Sequence, residues 1–252
     1  MQKPPTQPIY TLNKGAIAKN RRSLHTRKHR KLQKITNLLF HQVKTRCTIN
    51  NYHRHLNTLM KRVILITGTP CVGKTTTAKQ LATKLGAHYI NLTEYAKMHG
   101  LTLGEDKKRQ TTIINEKAMH QKLAETINAT DNANIIIDGH YAAAVTPSSL
   151  VTHVFVLRRN PKELKKIMQK NNYPESKLNE NLAAEILDTC LIEALQTQKD
   201  KVCELNVTGK SAQETVREIL AVADGKKKCH SGIVDWLGML EREGLIGDYL
   251  KI

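Results

Sequence analysis

Apolar residues in this chain alternate between short continuous runs and helical repeats, beginning near residue 63. The run Val63 to Ile66 is typical of a strand that is covered on both faces, as in a parallel sheet. Further β-rich runs lie at residues 89–92, 134–138, 151–157 and 202–207. Between the runs, apolar positions recur at helical spacing, as in residues 74–85. The pattern predicts an α/β domain built on a parallel sheet.

Two regions between these runs predict elements with functional consequences. Residues 93–108 are polar and contain Gly100 and Gly104, so we expect mobile turns where a second substrate enters. The following apolar positions predict a helix that includes Ile113, Ile114, Met119, Leu123 and Ile127.

A second pair of predicted helices lies later in the chain. Residues 164–170 and 178–198 have helical spacing and are separated by the polar elbow 170–174. Two helices with such an elbow are suited to act as a lid, at about residues 169–180, because closure excludes water from a reacting group.

The first strand runs directly into Gly68-x-x-x-x-Gly73-Lys74-Thr75, the pattern of a P-loop. Its glycines permit backbone angles that let successive N–H groups converge on phosphates, and the helix that follows points its positive end at the same anion. Lys74 then reaches the outer phosphates, and the Thr75 hydroxyl binds Mg²⁺. The alternative is a glycine-rich turn that binds no ligand.

The strand at residues 134–138 ends in Asp138, at the edge of the sheet where open α/β proteins bind ligands. Asp138 can hold the water shell of Mg²⁺ and so complete the metal site with Thr75. The alternative is an N-cap aspartate for the next turn. His140 follows two residues later, and it either orients a water or a phosphate or remains a neutral hydrogen-bonding side chain.

The strand at residues 151–157 is followed by Arg158 and Arg159, at the loop expected to face the phosphates. We expect one of these arginines to contact nucleotide and the other to contact solvent.

Charge is distributed very unevenly along the 252 residues. Residues 1–59 contain 13 of the 40 Lys and Arg and none of the 22 Asp and Glu, so most of the net charge of +18 belongs to this N-terminal extension. Three interpretations remain open: a solvated tail ahead of a domain that begins near Met60, an arm that binds nucleic acid, and a mitochondrial transit peptide.

The five cysteines are odd in number and widely spaced, which argues against a disulfide framework or a zinc site and favours a reducing, cytoplasmic location. No apolar run has the length of a membrane span. Residues 224–252 form a lysine-containing linker and an amphipathic helix, which either docks on the core or binds a partner.

Three sequence features together resemble one family, the small adenylate kinases of the CINAP type and their archaeal counterparts. The features are the P-loop, Asp138-Gly139-His140, and the elbow with its helix, Tyr173-x-x-x-Lys177-Leu178-x-Glu180-Asn181-x-x-Ala184-Glu185-Ile186. The resemblance extends from about Met60 to Ala223. It implies a doubly wound, five-stranded parallel sheet that binds ATP and Mg²⁺ and transfers the γ-phosphoryl group of ATP to AMP.

The resemblance also implies the residues that contact the ATP phosphates: Cys71, Gly73, Lys74, Thr75 and Thr76. Cys71 replaces the glycine usual in the family. Asn171 replaces the family's lid arginine, which places the rate of transfer in doubt because asparagine has no charged fork. Lys170 and Arg158 are the candidate substitutes for that arginine.

Two functions therefore remain in competition. The first is a nucleoside monophosphate kinase that acts on AMP. The second is a ribosome-assembly ATPase, because eukaryotic members of the family assist maturation of small-subunit ribosomal RNA together with a ribosomal protein. A GTPase is disfavoured because the chain lacks an Asn-Lys-x-Asp motif.

Overall fold

The computed structural model describes residues 61–106 and 111–251, so the basic N-terminal extension lies outside the described residues. The strands are β1 (Arg62–Thr67), β2 (His88–Asn91), β3 (Thr102–Asp106), β4 (Thr111–Ile114), β5 (Asn134–Asp138), β6 (His153–Arg158) and β7 (Val202–Asn206). The helices are α1 (Lys74–Leu85), α2 (Leu92–Met98), α3 (Glu116–Ala129), α4 (Ala142–Val145), α5 (Pro161–Lys170), α6 (Glu175–Ile186), α7 (Thr189–Gln198), α8 (Ala212–Ala223), α9 (Trp236–Arg242) and α10 (Ile246–Tyr249).

Five of these strands form one parallel sheet in the order β2-β5-β1-β6-β7, which confirms the predicted architecture. Both faces of the sheet are covered. Successive side chains of a strand point to opposite faces, so β1 contributes Ile64 and Ile66 to one core and Val63 and Leu65 to the other. Helices α1, α5, α6 and α8 pack on the first face, and α2, α3, α4 and α7 pack on the second.

The region between β2 and β5 differs from the prediction. Helix α2 begins at Leu92, capped by the Asn91 side chain, and β3 and β4 then pair as an antiparallel hairpin. Ile113 and Ile114 belong to β4, and the helix that contains Met119 begins only at Glu116. The predicted helix was therefore too long at its start, because two adjacent apolar residues fit a strand as well as a helical repeat.

The structure has two helices, α6 and α7, where one long helix was predicted over residues 178–198. Helix α6 ends at Ile186, and Asp188 then has a φ of 58°, a left-handed conformation that breaks the helical path before α7 begins. The elbow between α5 and α6 lies at residues 171–174, within the predicted lid.

Among the described residues, every helix is too short or too polar to span a membrane.

The C-terminal segment packs on the core, which is the first of the two interpretations offered above for residues 224–252. It forms two short helices, α9 and α10, and not one long amphipathic helix. Leu240 is fully buried in the same core as α6 and α8, and Trp236 is also buried.

Candidate active site

The phosphate loop follows β1 and has the backbone conformation that its glycines predict. Gly68 has a φ of 133°, and a Cβ there would lie only 2.4 Å from the carbonyl oxygen of Leu157, so no other residue fits. Gly73 has a φ of 107° and is the N-cap of α1. Cys71 has a φ of 68°, a left-handed conformation that glycine adopts more easily than a residue with a Cβ.

Lys74 lies at the start of α1, where its ammonium donates a hydrogen bond to the carbonyl of Thr69 at 2.8 Å. Burial lowers the pKa of Lys74, and the negative charge of Asp138 opposes that shift. The side chain therefore lies desolvated beside the loop, in a position suited to contact phosphate oxygens.

Thr75 and Asp138, the two predicted metal ligands, are in direct contact. The Thr75 hydroxyl donates to Oδ2 of Asp138 at 2.7 Å, and the Tyr89 hydroxyl and Asn91 amide donate to the same oxygen at 3.0 and 3.1 Å. Burial, the largest cause, raises the pKa of Tyr89 to about 12, so it remains a hydrogen-bond donor. The N-cap interpretation of Asp138 is wrong, because the N-cap of α4 is Tyr141.

The other carboxylate oxygen, Oδ1 of Asp138, is buried and has no hydrogen-bond partner in the described part of the chain. A buried carboxylate oxygen without a partner is costly unless a ligand satisfies it. Mg²⁺ prefers oxygen ligands and keeps several of its waters. The Thr75 hydroxyl and Asp138 therefore fit Mg²⁺.

His140 lies just beyond β5 and lines a cavity of about 380 Å³. Desolvation within the cleft, followed by the positive charges of Lys74 and Lys177, lowers the pKa of His140 to about 4. The ring is thus neutral near pH 7, and its role is a hydrogen bond to a ligand or a water. Polar and apolar side chains of α2, β4 and α3 complete the cavity: Thr93, Lys97, Thr112, Ile113, Ile114, Glu116 and Tyr141.

A second, smaller cavity of about 190 Å³ borders the phosphate loop and the first turn of α1. Arg159 lies in its wall: its Nε donates to the carbonyl of Val72 at 3.2 Å, and a Cβ at Gly73 would lie 3.7 Å from its Nη2. The lining residues are Val72, Gly73, Thr76, Thr77, Arg159, Val207, Lys210, Ala212 and Thr215.

Arg158 requires a correction, since its guanidinium is not available to a phosphoryl group. The side chain is fully buried, and its three nitrogens bind carboxylates of Glu185 at 2.9 Å, Glu204 at 2.8 Å and Asp188 at 2.5 Å. The expectation that the second arginine contacts solvent was wrong, because Arg158 is buried in the core. Arg159 faces the loop, and contact of one arginine with nucleotide stays a prediction.

The predicted lid residues lie close to the phosphate loop. The Asn171 amide is 4.0 Å from Sγ of Cys71. Lys170 is exposed at the end of α5, one residue before Asn171. Thr76 is exposed in the first turn of α1 and lines the smaller cavity. The site thus brings together the predicted residues of the loop, Asp138 and Asn171, whereas Arg158 lies in the core and Lys170 is exposed.

Three further side chains belong to this site and were not predicted: Tyr89 and Asn91 as partners of Asp138, and Lys177, whose charge acts on His140. Tyr89 and Asn91 are two positions apart at the end of β2, so their side chains lie on the same face, directly before a helix. Polar residues at a strand end were the signal that could have identified them.

Comparison with known proteins gives one consistent group of relatives. Residues 64–188 match the family described as "AAA domain". The "Putative adenylate kinase" of Pyrococcus furiosus is 38% identical over 191 residues, which are 75% of this chain and 98% of that protein. The protein of the same description from Methanocaldococcus jannaschii is 36% identical over 173 residues, 69% of this chain and 92% of that protein. Shikimate kinase from Aquifex aeolicus vf5 is a structural neighbour with a TM-score of 0.42 and 18% identity, covering 66% of this chain and 97% of that chain.

Proposed function

Because this chain belongs to the adenylate-kinase-like family of these archaeal relatives, we propose that it transfers the γ-phosphoryl group of ATP to AMP. One observation supports this most: Thr75 contacts Asp138, and residues close in sequence to each of the two line a different cavity. Gly73 and Thr76, on either side of Thr75 in the chain, line the smaller cavity, and His140, two residues beyond Asp138, lines the larger one. Two cavities with these lining residues suit a donor and an acceptor nucleotide.

In this proposal, ATP lies with its phosphates on the loop and its nucleoside in the smaller cavity, against Arg159. AMP occupies the larger cavity, where Lys97 offers a cation and His140 a neutral hydrogen-bonding group. Mg²⁺, held by Thr75 and by Asp138 through water, would neutralise phosphate charge when bound. Phosphoryl transfer needs mainly positioning and charge, so Lys74 and the lid residues align the phosphates and exclude water.

A coupled assay tests this function by measuring ADP formed from ATP with AMP, CMP, UMP, GMP or no acceptor. We expect AMP to give the fastest turnover. Lys74→Met should abolish turnover with every acceptor, which excludes a contaminating kinase. ATP turnover that is the same with and without any monophosphate would contradict the proposal.

A ribosome-assembly ATPase related to the CINAP type is the second candidate. It is supported by the 13 Lys and Arg without any Asp or Glu in residues 1–59, and by Asn171 in place of the lid arginine. Binding of small-subunit ribosomal RNA should then fall steeply with salt, on the order of a thousandfold between 50 and 200 mM if about six cations meet phosphates. Equal RNA affinity with and without residues 1–59 would contradict an RNA-binding arm.

A further inference from the structure

The C-terminal segment of residues 229–242, here called the strap, contacts the buried acidic cluster beside β7. The backbone N–H of Glu204 donates to the carbonyl of His230 at 2.8 Å, and the N–H of Ile233 donates to Oε2 of Glu204 at 2.7 Å. Trp236 then donates its indole Nε1–H to Oε1 of Glu185 at 3.1 Å. The strap lies beyond residues 64–188, the part of the chain that matches the family described as AAA domain.

One oxygen links the strap to the phosphate loop. Oε1 of Glu185 accepts hydrogen bonds from Nε of Arg158 at 2.9 Å, from the backbone N–H of Arg159 at 3.0 Å, and from Trp236. Arg159 in turn donates from its side chain to the carbonyl of Val72 in the loop. A path of hydrogen bonds therefore runs from Trp236 through Glu185 and Arg159 to Val72, in the wall of the smaller cavity.

Charge explains why the strap donors matter at this position. The cluster holds three carboxylates, of Glu185, Glu204 and Asp188, and a single guanidinium, so acceptors outnumber cations. Both glutamates are almost fully buried, which makes each missing donor costly. The indole N–H of Trp236 and the backbone N–H of Ile233 supply donors that the guanidinium alone cannot.

We propose that the strap is a positioning element for the donor nucleotide, with Trp236 as its positioning residue. By fixing Glu185, Trp236 holds the turn between β6 and α5 in the conformation that places Arg159 against the phosphate loop. This role for the strap rests on one part of the proposed function, namely that the smaller cavity binds ATP. It adds to the site a segment that would not itself touch the nucleotide.

The substitution Trp236→Phe in the full chain tests the proposal, since it keeps an aromatic ring in the core and removes the indole N–H together with the second ring. A hydrogen bond to a charged group is lost, so we expect the Kd for ATP, measured by calorimetry, to rise by about tenfold. The KM for AMP should not change. Tyr249→Phe is the matched control, because it removes one polar atom from the same end of the chain without touching Glu185, and its Kd for ATP should equal that of the wild type.

A double-mutant cycle separates positioning from a general loss of stability. In an Arg159→Met background, Trp236→Phe should leave the Kd for ATP unchanged, because its route to the nucleotide is already broken. The same rise in Kd in both backgrounds would overturn the proposal. So would an unchanged Kd in the single variant, whereas a wild-type chain that binds no ATP at all would instead refute the proposed function.

A second measurement needs no change to Trp236. It is the sole tryptophan of the chain, so its fluorescence reports this contact alone. We expect ATP to alter the emission of the wild type, and we expect Arg159→Met to bind ATP with no such alteration. An emission that ATP leaves constant in the wild type, under conditions where calorimetry shows binding, would overturn the coupling.

Discussion

The two strands that flank β1 in the sheet each end in a charged residue, and the two residues differ in how fully the protein satisfies their hydrogen bonds. Asp138 at the end of β5 has one oxygen that accepts three hydrogen bonds and another that accepts none. Arg158 at the end of β6 has all three nitrogens bound to carboxylates. A buried group with unused bonding capacity needs a ligand, whereas a fully satisfied group holds the fold together. We therefore assign ligand binding to Asp138 and structural support to Arg158.

The comparison predicts that Arg158→Met mainly reduces stability. It leaves buried Glu185 and Glu204 without their cation, so the free energy of unfolding should fall by about 3–5 kcal/mol in urea titrations. Arg159→Met is the matched control. Its guanidinium pairs with the partly exposed Glu163, and its loss should cost less than about 1 kcal/mol. Equal effects of the two substitutions would remove the distinction between the arginines.

Asp138→Asn tests the other side of the comparison. The amide keeps the size of the side chain but loses the charge that attracts Mg²⁺ and its waters. The concentration of Mg²⁺ that half-saturates the ATP complex, measured by calorimetry, should rise by about 10–100-fold. Asp131→Asn, an exposed position before β5, should leave it unchanged. An unaltered Mg²⁺ requirement in Asp138→Asn would mean that the free oxygen does not face the cation.

Asn171→Arg asks whether the lid lacks a charge that the phosphate loop could use. Asn171 already lies beside Cys71, so an arginine there would bring a guanidinium to the loop. Arg158 is committed to the core and cannot fill this role. We expect the rate of ADP formation with AMP to rise by about tenfold. Gln169→Arg, which adds the same charge two residues earlier on α5, should change it little. A rate that falls or stays constant in Asn171→Arg would show that another cation already acts there.

Local patterns in the sequence predicted the sheet, the phosphate loop and the Thr75–Asp138 pair. The glycine spacing and the apolar run before it fix the loop within about fourteen residues, and the metal pair follows from the position of strand ends. These features depend on neighbours in the chain, so they can be read without knowing the rest of the fold.

The assignment of the arginines could not be read in this way. Adjacent residues at the end of a strand point in different directions, so the question is which one meets Glu185 and Glu204. Those partners lie 27 and 46 positions further along the chain and come from α6 and β7. The β3–β4 hairpin was missed for the same reason. Its strands pair with a register shift between Thr102 and Gly104, and such pairing is a contact between two segments that neither segment specifies alone.

His140 gives the smallest expected effect and extends the comparison to protons. Its pKa in the folded chain is about 4, against 6.5 for an unperturbed histidine, because of desolvation first and then Lys74 and Lys177. Between pH 6.5 and 4 the unfolded chain therefore binds a proton that the folded chain does not, so acidification through this window lowers the free energy of unfolding. His140→Gln should flatten that dependence in urea titrations at pH 7 and pH 5, whereas His120→Gln, a change on α3 outside the cavity lining that includes His140, should preserve it. An identical pH dependence in wild type and His140→Gln would mean that the cleft does not disfavour a positive charge at His140, and the neutral role proposed for this residue toward AMP would fail with it.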